Sequence, residues 1–132
     1  MRIKKIMIVL LIVIVGIFLL GAGLKAGIER NLERLADSTI PRLELENVED
    51  GVYTGSHKVF PVAAEVKVTV KDHKITDIVL LEHNNGQGAA AVVIPEMVVK
   101  AQTLEVDTIS GATYSSKVIL KAISNALSGE NK

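Results

Sequence analysis

The sequence predicts an α+β fold: a small antiparallel sheet with packed helices, preceded by one N-terminal transmembrane helix. Three observations support this prediction. An uncharged block of 19 residues lies between Lys5 and Lys25. Apolar and polar residues alternate over residues 62–71, and apolar residues recur at helical spacing after Ser115. With 132 residues, the chain has room for one domain at most.

The composition excludes several classes of function. Lys and Arg total 15 and Asp and Glu total 15, so the chain lacks the excess of positive charge that a nucleic-acid-binding module needs. Aromatic residues make up 3% of the chain and Trp is absent, which argues against stacking platforms for bases. The absence of Cys excludes disulfides, thiolate catalysis and Cys-ligated metals.

The uncharged block predicts a membrane anchor over residues 6–25. An α-helix rises ~1.5 Å per residue and needs about 20 apolar residues to cross the hydrocarbon core. Residues 1–5 carry Arg2, Lys4 and Lys5 and form a basic tip, which the positive-inside rule places in the cytoplasm. The remainder of the chain would then be extracytoplasmic, attached to the cell membrane by a single pass.

A cleaved signal peptide is the alternative interpretation of this block. Gly21, Ala22 and Gly23 provide only a poor small-x-small cleavage site, and the block is longer than the ~7–15 apolar residues of a typical signal peptide. An uncleaved anchor is therefore the favoured interpretation.

Residues 26–47 are predicted to be an acidic stalk. The sequence from Asn31 to Asp50 contains six acidic residues and only two arginines. Leu32 and Leu35 could extend the anchor helix by a turn or two before Ser38 and Pro41 interrupt it. The segment is expected to be a solvated spacer, and residues 48–132 to form the folded domain.

A β-hairpin is the clearest local signal in this domain. The residues DGVYTG at 50–55 predict a turn that leads into a first strand. A second strand follows over 62–71, and residues 75–82 form the returning third strand. Asp72 and His73 occupy the bend, where His73 is expected to adopt a positive φ.

The second half of the domain combines a polar loop with helices. The residues HNNGQG at 83–88 form the loop, and residues 89–101 favour helix, with Pro95 in the first turn of a new helix. Residues 104–106 are predicted to form a short strand. The last helix is predicted from Ser115 onward, with Gly129 as its stop. Its apolar positions are Ile119, Ala122, Ile123, Ala126 and Leu127.

The segment 107–116 is the candidate functional site. Small hydroxyl residues and a glycine lead directly into a helix, whose first amides lack internal partners and attract negative charge. Gly111 and Ala112 would let a ligand approach the backbone closely, so a phosphate could bind here. The alternative is a simple helix cap, with Ser110 or Thr113 accepting an amide hydrogen bond. On physical grounds alone the cap is favoured.

The string D-x-x-S-G-A-T in this segment resembles the flavinylation signature of the FMN-binding domain family. That signature is found in the flavin-carrying subunits of sodium-pumping NADH:quinone reductase and in small extracytoplasmic electron carriers. The similarity extends over about residues 48–129. The fixed positions of the signature are occupied by Asp107, Ser110, Gly111, Ala112 and Thr113.

The resemblance implies a covalent FMN cofactor. In the family a flavin transferase cuts FAD and joins FMN through its phosphate to the last Thr of the motif. Carried onto this chain, that residue is Thr113, and the other four motif residues would be the recognition sequence and shape the phosphate pocket. The loop at residues 83–88 resembles a loop that lies beside the isoalloxazine ring in larger members of the family. His83, Gly86 and Gly88 occupy comparable places, although the residues between them differ.

The predicted function is that of a membrane-anchored flavoprotein that relays electrons between a membrane donor and an extracytoplasmic acceptor or partner reductase. The expected partners are the bilayer, a flavin transferase, and donor and acceptor proteins. No catalytic residue is assigned, because the chain is expected to be a carrier rather than a stand-alone enzyme. A non-redox scaffold and a small reductase acting on an extracellular acceptor are the alternatives. The three histidines lack partners at i+3 or i+4, so no metal site is predicted.

Overall fold

The fold was analysed in a computed structural model, which describes residues 1–84 and 88–129. Three antiparallel strands form one sheet in the order β1-β2-β3, and helices pack on one of its faces. This architecture confirms the predicted α+β class. The elements in chain order are α1 (Arg2–Asp37), a 3₁₀ turn (Leu45–Asn47), β1 (Gly51–Val59), β2 (Val62–Lys71), β3 (Lys74–Asn84), a second 3₁₀ turn (Ala89–Val93), α2 (Ile94–Ala101) and α3 (Thr113–Ser128).

The alternating pattern of β2 places its apolar residues in the core, as predicted. The side chains of Val62, Ala64, Val66, Val68 and Val70 are all buried on the inner face of the sheet. Helix α3 covers β1 and β2 on this face, and α2 packs on β3. The apolar positions predicted for the last helix are buried against the strands, so the alternation of β2 and the helical period of α3 together build one core.

The hairpin bend is fixed by contacts with the start of β1. Asp72 and His73 have φ values of 53° and 56°, which confirms the positive φ expected at His73. The His73 amide donates to the Asp50 carboxylate at 3.2 Å, and His73 Nδ1 lies 2.9 Å from the carbonyl oxygen of Val48. Hydrogen bonds from the backbone amides of Asp72 and His73 hold the pKa of Asp50 below its usual value.

The short strand predicted at residues 104–106 is not formed, and this prediction was wrong. Gln102 occupies the free edge of β3 instead: its side-chain Oε1 accepts from the Ile75 amide at 2.9 Å, and its Nε2 donates to the Ile75 carbonyl at 2.8 Å. A side-chain amide thus makes the two bonds that a neighbouring strand would make at this position. Leu104 is buried, so the apolar signal in this segment reflects packing rather than strand pairing.

Helix α1 runs unbroken from the apolar block through the predicted stalk to Asp37. In the described part of the chain it is the one helix long and apolar enough to cross a membrane. The stalk is not a solvated spacer throughout: Leu35 is 4% exposed, and Leu32 and Ile40 pack against the core. Leu32 and Leu35 lie three residues apart on one face of α1, and that face packs on the domain.

The end of α1 is held by α3. The Lys117 ammonium donates to the carbonyl oxygens of Ala36 and Ser38, the latter at 3.0 Å, and so satisfies carbonyls at the helix C-terminus that lack helical partners. One turn further along α3, Lys121 lines a cleft together with Asn31 and Arg34 of α1. Residue numbers therefore rise in opposite directions along the two helices, which are antiparallel where they meet.

Helix α3 lies against β1 at Gly55. A Cβ atom built on Gly55 would overlap the backbone nitrogen of Ala126 and the carbonyl oxygen of Ala122. Both neighbours are backbone atoms of a helix, so neither can move aside as a flexible side chain would. The absence of a side chain at this position is what lets α3 approach the sheet so closely.

We expect Gly55→Ala to lower the free energy of unfolding by about 1–3 kcal/mol, because the added methyl group overpacks the contact between α3 and β1. The measurement is chemical denaturation of the detergent-solubilised chain. Gly51→Ala is the matched control: its Cβ would meet Tyr53 at 3.5 Å, an ordinary contact, so the change should stay within about 0.5 kcal/mol. Equal effects of the two substitutions would contradict the prediction.

Candidate functional site

The segment before α3 forms a tight turn over residues 109–112. The Ala112 amide donates to the Ile109 carbonyl at 2.8 Å, and Gly111 has a φ of 78°. Nothing lies within 4 Å of a Cβ built on Gly111, so glycine is favoured here by the backbone conformation and not by lack of space. The turn presents Ser110 and Gly111 at the surface.

Ser116 fastens this turn to α3. Its side chain is fully buried, its hydroxyl donates to the Ala112 carbonyl at 2.7 Å, and it accepts from the Ile109 amide at 3.0 Å. The same hydroxyl therefore bonds both ends of the turn. Sequence reasoning did not single out Ser116. A signal was present, because Ser116 precedes Ile119 and Ile123 at helical spacing and so lies on the buried face.

Helix α3 begins at Thr113, two residues earlier than predicted, with Ala112 as its N-cap. No side chain caps this end of the helix, so the interpretation of Ser110 or Thr113 as a helix cap was wrong. Thr113 is half-buried, and within residues 1–84 and 88–129 its hydroxyl has no hydrogen-bond partner. A hydroxyl without a partner in the described chain thus lies beside the first amides of the helix, which lack carbonyl partners four residues back.

Of the remaining motif residues, Ala112 is buried in the core and Asp107 is exposed at the surface. Ala112 is 3% exposed, so its methyl group packs in the core. Asp107 is exposed and lines a cleft of about 440 Å³ between α2 and the segment that leads to the turn. This volume lies in the range of small-molecule sites. The other lining residues are Met97, Lys100, Ala101, Glu105 and Val106.

His83 lies near the end of β3, where the strand leads into the loop. It pairs with Ala64 of β2, on the inner face of the sheet. Both ring nitrogens are buried and have no hydrogen-bond partner in the described part of the chain. Burial lowers the pKa of His83, so the ring is neutral at pH 7 and offers one donor and one acceptor.

Gly86 and Gly88 are the other two loop residues predicted to contact the flavin ring, and the structure describes only Gly88. Gly88 is buried at the start of the second 3₁₀ turn. Gly86 lies outside the described residues. The predicted role of this loop therefore rests, within the structure, on His83 and Gly88.

The end of β3 and the motif lie at the same end of the domain. Along α3, Ala122 and Ala126 face Gly55, whereas Lys121 is close enough to His57 to affect its pKa. Residue numbers along α3 therefore decrease in the direction in which they increase along β1, so the two elements are antiparallel. Thr113 precedes Lys121 by eight residues, or about 12 Å of helix, and so reaches toward the sheet end where β3 leads into the loop.

Comparison with known proteins places these features in a family. The sequence profile of the FMN-binding domain matches residues 62–128, which comprise both later strands, the loop, the motif and α3. The chain belongs to the FMN-binding domain family. It is also 38% identical over 91 residues to the NADH:acrylate oxidoreductase of Vibrio harveyi, a match that covers 64% of this chain and 9% of that protein. No solved structure matches the chain.

The residues present fit an FMN cofactor. Thr113 supplies a hydroxyl that is unpartnered within the described chain, and the first turn of α3 supplies amides suited to a phosphate. The buried, unpartnered nitrogens of His83 mark a place in the described structure where a ligand could complete a hydrogen bond. Membership of the family supports a flavin-binding role in electron transfer.

We expect Ser116→Ala to destabilise the chain by about 1–3 kcal/mol, because it leaves the Ile109 amide without its acceptor, whereas the Ala112 carbonyl keeps the backbone amide of residue 116. Amide hydrogen exchange should accelerate at Ile109. The control is Ser128→Ala at the exposed end of α3, which should leave both readouts unchanged. Unaltered protection of the Ile109 amide would show that the hydroxyl does not hold the turn.

Proposed function

We propose that the chain is a membrane-anchored, extracytoplasmic flavoprotein that carries FMN covalently on Thr113 and relays electrons between partner proteins. The observation that carries this proposal is the position of Thr113: the last residue of the family motif is also the first residue of α3, and its hydroxyl is unpartnered within the described chain. The FMN-binding family match supports the choice of cofactor.

The proposed attachment is a phosphoryl transfer from FAD catalysed by a flavin transferase. The Thr113 oxygen forms a bond to the flavin-side phosphorus, the phosphoanhydride bond of FAD breaks, and AMP leaves with the proton that the hydroxyl loses. The product is a phosphoester that retains one negative charge near the N-terminus of α3. The amides and dipole of that helix end favour negative charge.

The four other motif residues support attachment in different ways. Gly111 allows the turn that places Thr113 at the helix start, and Ala112 anchors this turn in the core. Exposed Asp107 and Ser110 are the motif side chains that a transferase could read. His83 and Gly88 are proposed to approach the flavin from the loop, together with Gly86.

The flavin supplies the redox chemistry when bound, since it exchanges electrons singly or in pairs. The protein's part is to hold and orient it. The similarity to NADH:acrylate oxidoreductase, limited to 9% of that protein, is consistent with such a domain serving a larger reductase. We therefore propose a carrier or subunit. A scaffold without flavin, or a reductase acting directly on an external acceptor, would be distinguished by flavin content and by turnover of the isolated chain.

We expect co-expression with a flavin transferase to raise the intact mass by one FMN less one water, and Thr113→Ala to abolish that gain. The denatured protein is analysed by mass spectrometry, with the modified peptide mapped. Thr108→Ala, at a variable position of the same motif, is the matched control and should retain the modification. An unmodified wild-type mass, or a modification that persists in Thr113→Ala, would refute the covalent assignment.

The geometry of α1 supports a position for the flavin away from the bilayer. From Leu24, the last residue of the apolar block, to Ser38 is 14 residues, or about 21 Å of helix. Lys117 binds the carbonyls at that far end, and Thr113 lies one turn earlier on α3. We propose that the attachment site faces away from the membrane and exchanges electrons with protein partners outside it.

This orientation predicts different distances for the two ends of α3. Because the chain has no Cys, single labels can be placed by Ser110→Cys within the motif and Ser128→Cys at the other end of α3. In nanodiscs with acceptor-labelled headgroups, energy transfer should be stronger from residue 128 than from residue 110. Equal transfer, or stronger transfer from residue 110, would contradict the orientation, whether or not flavin is attached.

A further inference from the structure

A second polar site lies where α1 meets the domain. We call it the junction cleft: an opening of about 300 Å³ lined by Asn31, Arg34, Leu35, Ser38, His57, Val59 and Lys121. Three elements contribute to it, namely the end of α1, β1 and α3. Leu35 and Val59 supply apolar surface, and the remaining lining residues are basic or polar.

The basic side chains of the junction cleft lack partners in the described structure. Arg34, His57 and Lys121 make no hydrogen bond or ion pair within the part of the chain that the structure describes, and no lining residue is acidic. Ser38 differs, since its hydroxyl donates to the Leu35 carbonyl at 2.7 Å. Three basic groups therefore converge on one cleft without a compensating negative charge from its lining.

An anion in the cleft would compensate the positive charge of its lining. His57 is half-buried, and burial together with the nearby charge of Lys121 lowers its pKa. The charged groups that line the cleft with His57 are Arg34 on α1 and Lys121 on α3, both positive, and the charge of Lys121 acts on His57. An anion between them would offset the repulsion between these groups and would accept charge-assisted hydrogen bonds.

We propose that the junction cleft binds a phosphoryl group. Two permanent cations and a protonatable imidazole suit a phosphoryl group, which carries one negative charge in a lipid diester and up to two as free phosphate, and each of the three lining elements offers it a donor. The Asn31 amide can add a neutral donor. An open cleft of about 300 Å³ leaves room for a hydrated phosphate. Such a ligand would bridge α1 to the domain.

The phosphoryl group could belong to free phosphate or to a lipid. Asn31 lies seven residues, or about 10 Å of helix, beyond Leu24. The interfacial layer of a bilayer is roughly 5–7 Å thick on each side, so the membrane-facing edge of the cleft lies a few ångströms beyond it, and a headgroup reaches the cleft only by extending outward. The site itself does not depend on flavin attachment.

The test is a titration with inorganic phosphate of the full chain in phosphatidylcholine nanodiscs, at constant ionic strength, followed by calorimetry and by the NMR signal of the His57 ring. Saturable binding should raise the pKa of His57, because the anion favours the protonated ring. Lys121→Met and Arg34→Met should each weaken phosphate binding at least tenfold. Acetate should bind at least tenfold more weakly than phosphate.

Lys58→Met is the matched control. Lys58 neighbours His57 on β1 but is exposed and lies on the opposite face of the sheet, so its loss should change affinity less than twofold. Lys121→Arg retains the positive charge and should still bind phosphate. Binding by this variant shows that residue 121 can be replaced without loss of the site, so that the loss in Lys121→Met reports on the charge. An equal loss with Lys58→Met, or no saturable binding by the wild type, would overturn the proposal.

Nanodiscs containing phosphatidylglycerol distinguish the two sources. If a headgroup occupies the cleft, the His57 pKa is already raised there relative to phosphatidylcholine, added phosphate no longer shifts it, and the difference between the two lipids is lost in Lys121→Met. If free phosphate is the ligand, the shift on phosphate addition is the same in both lipids. A His57 pKa that responds to neither lipid nor phosphate would exclude the site.

Discussion

Close packing of α3 on β1 at Gly55 positions both sites. The backbone of α3 lies where a side chain of residue 55 would otherwise be, and this contact holds the helix flat on the sheet. The start of α3 carries Thr113, its second turn carries Lys117, and its third carries Lys121. Because a helix rises by a fixed ~1.5 Å per residue, fixing α3 also fixes the spacing of the motif, the α1 contact and the junction cleft.

Sequence reasoning succeeded where the signal is local. The alternation of β2, the bend at Asp72 and His73, and the helix beginning near Pro95 each follow from a few adjacent residues, and all are present. The family motif was recognised from five fixed positions, and the family match confirms that resemblance. The start of α3 was predicted two residues too late, because the apolar spacing that defines this helix begins only after Ser115 and does not mark its first turn.

Features that depend on long-range contacts could not be predicted in the same way. Gln102 bonds Ile75, 27 residues away, and thereby takes the place of the strand expected at 104–106. Leu35 is buried only because α3 and β1 come together beneath α1. Ser116 became recognisable as a positioning residue once the turn it bonds was known. Short-range periodicity contains no information about such partners.

Because α1 is docked on the domain, a change in the tilt of the proposed anchor would move the whole domain. Since Leu35 is buried and Lys117 binds the carbonyls at the helix end, the domain should follow any tilt of α1. Transmembrane helices tilt by about 20° on average, and over the ~21 Å from Leu24 to Ser38 such a tilt moves the end sideways by about 7 Å. The neighbours and interfacial anchors of α1, which set its tilt, would thereby determine how far the flavin site reaches across the membrane plane toward its partner.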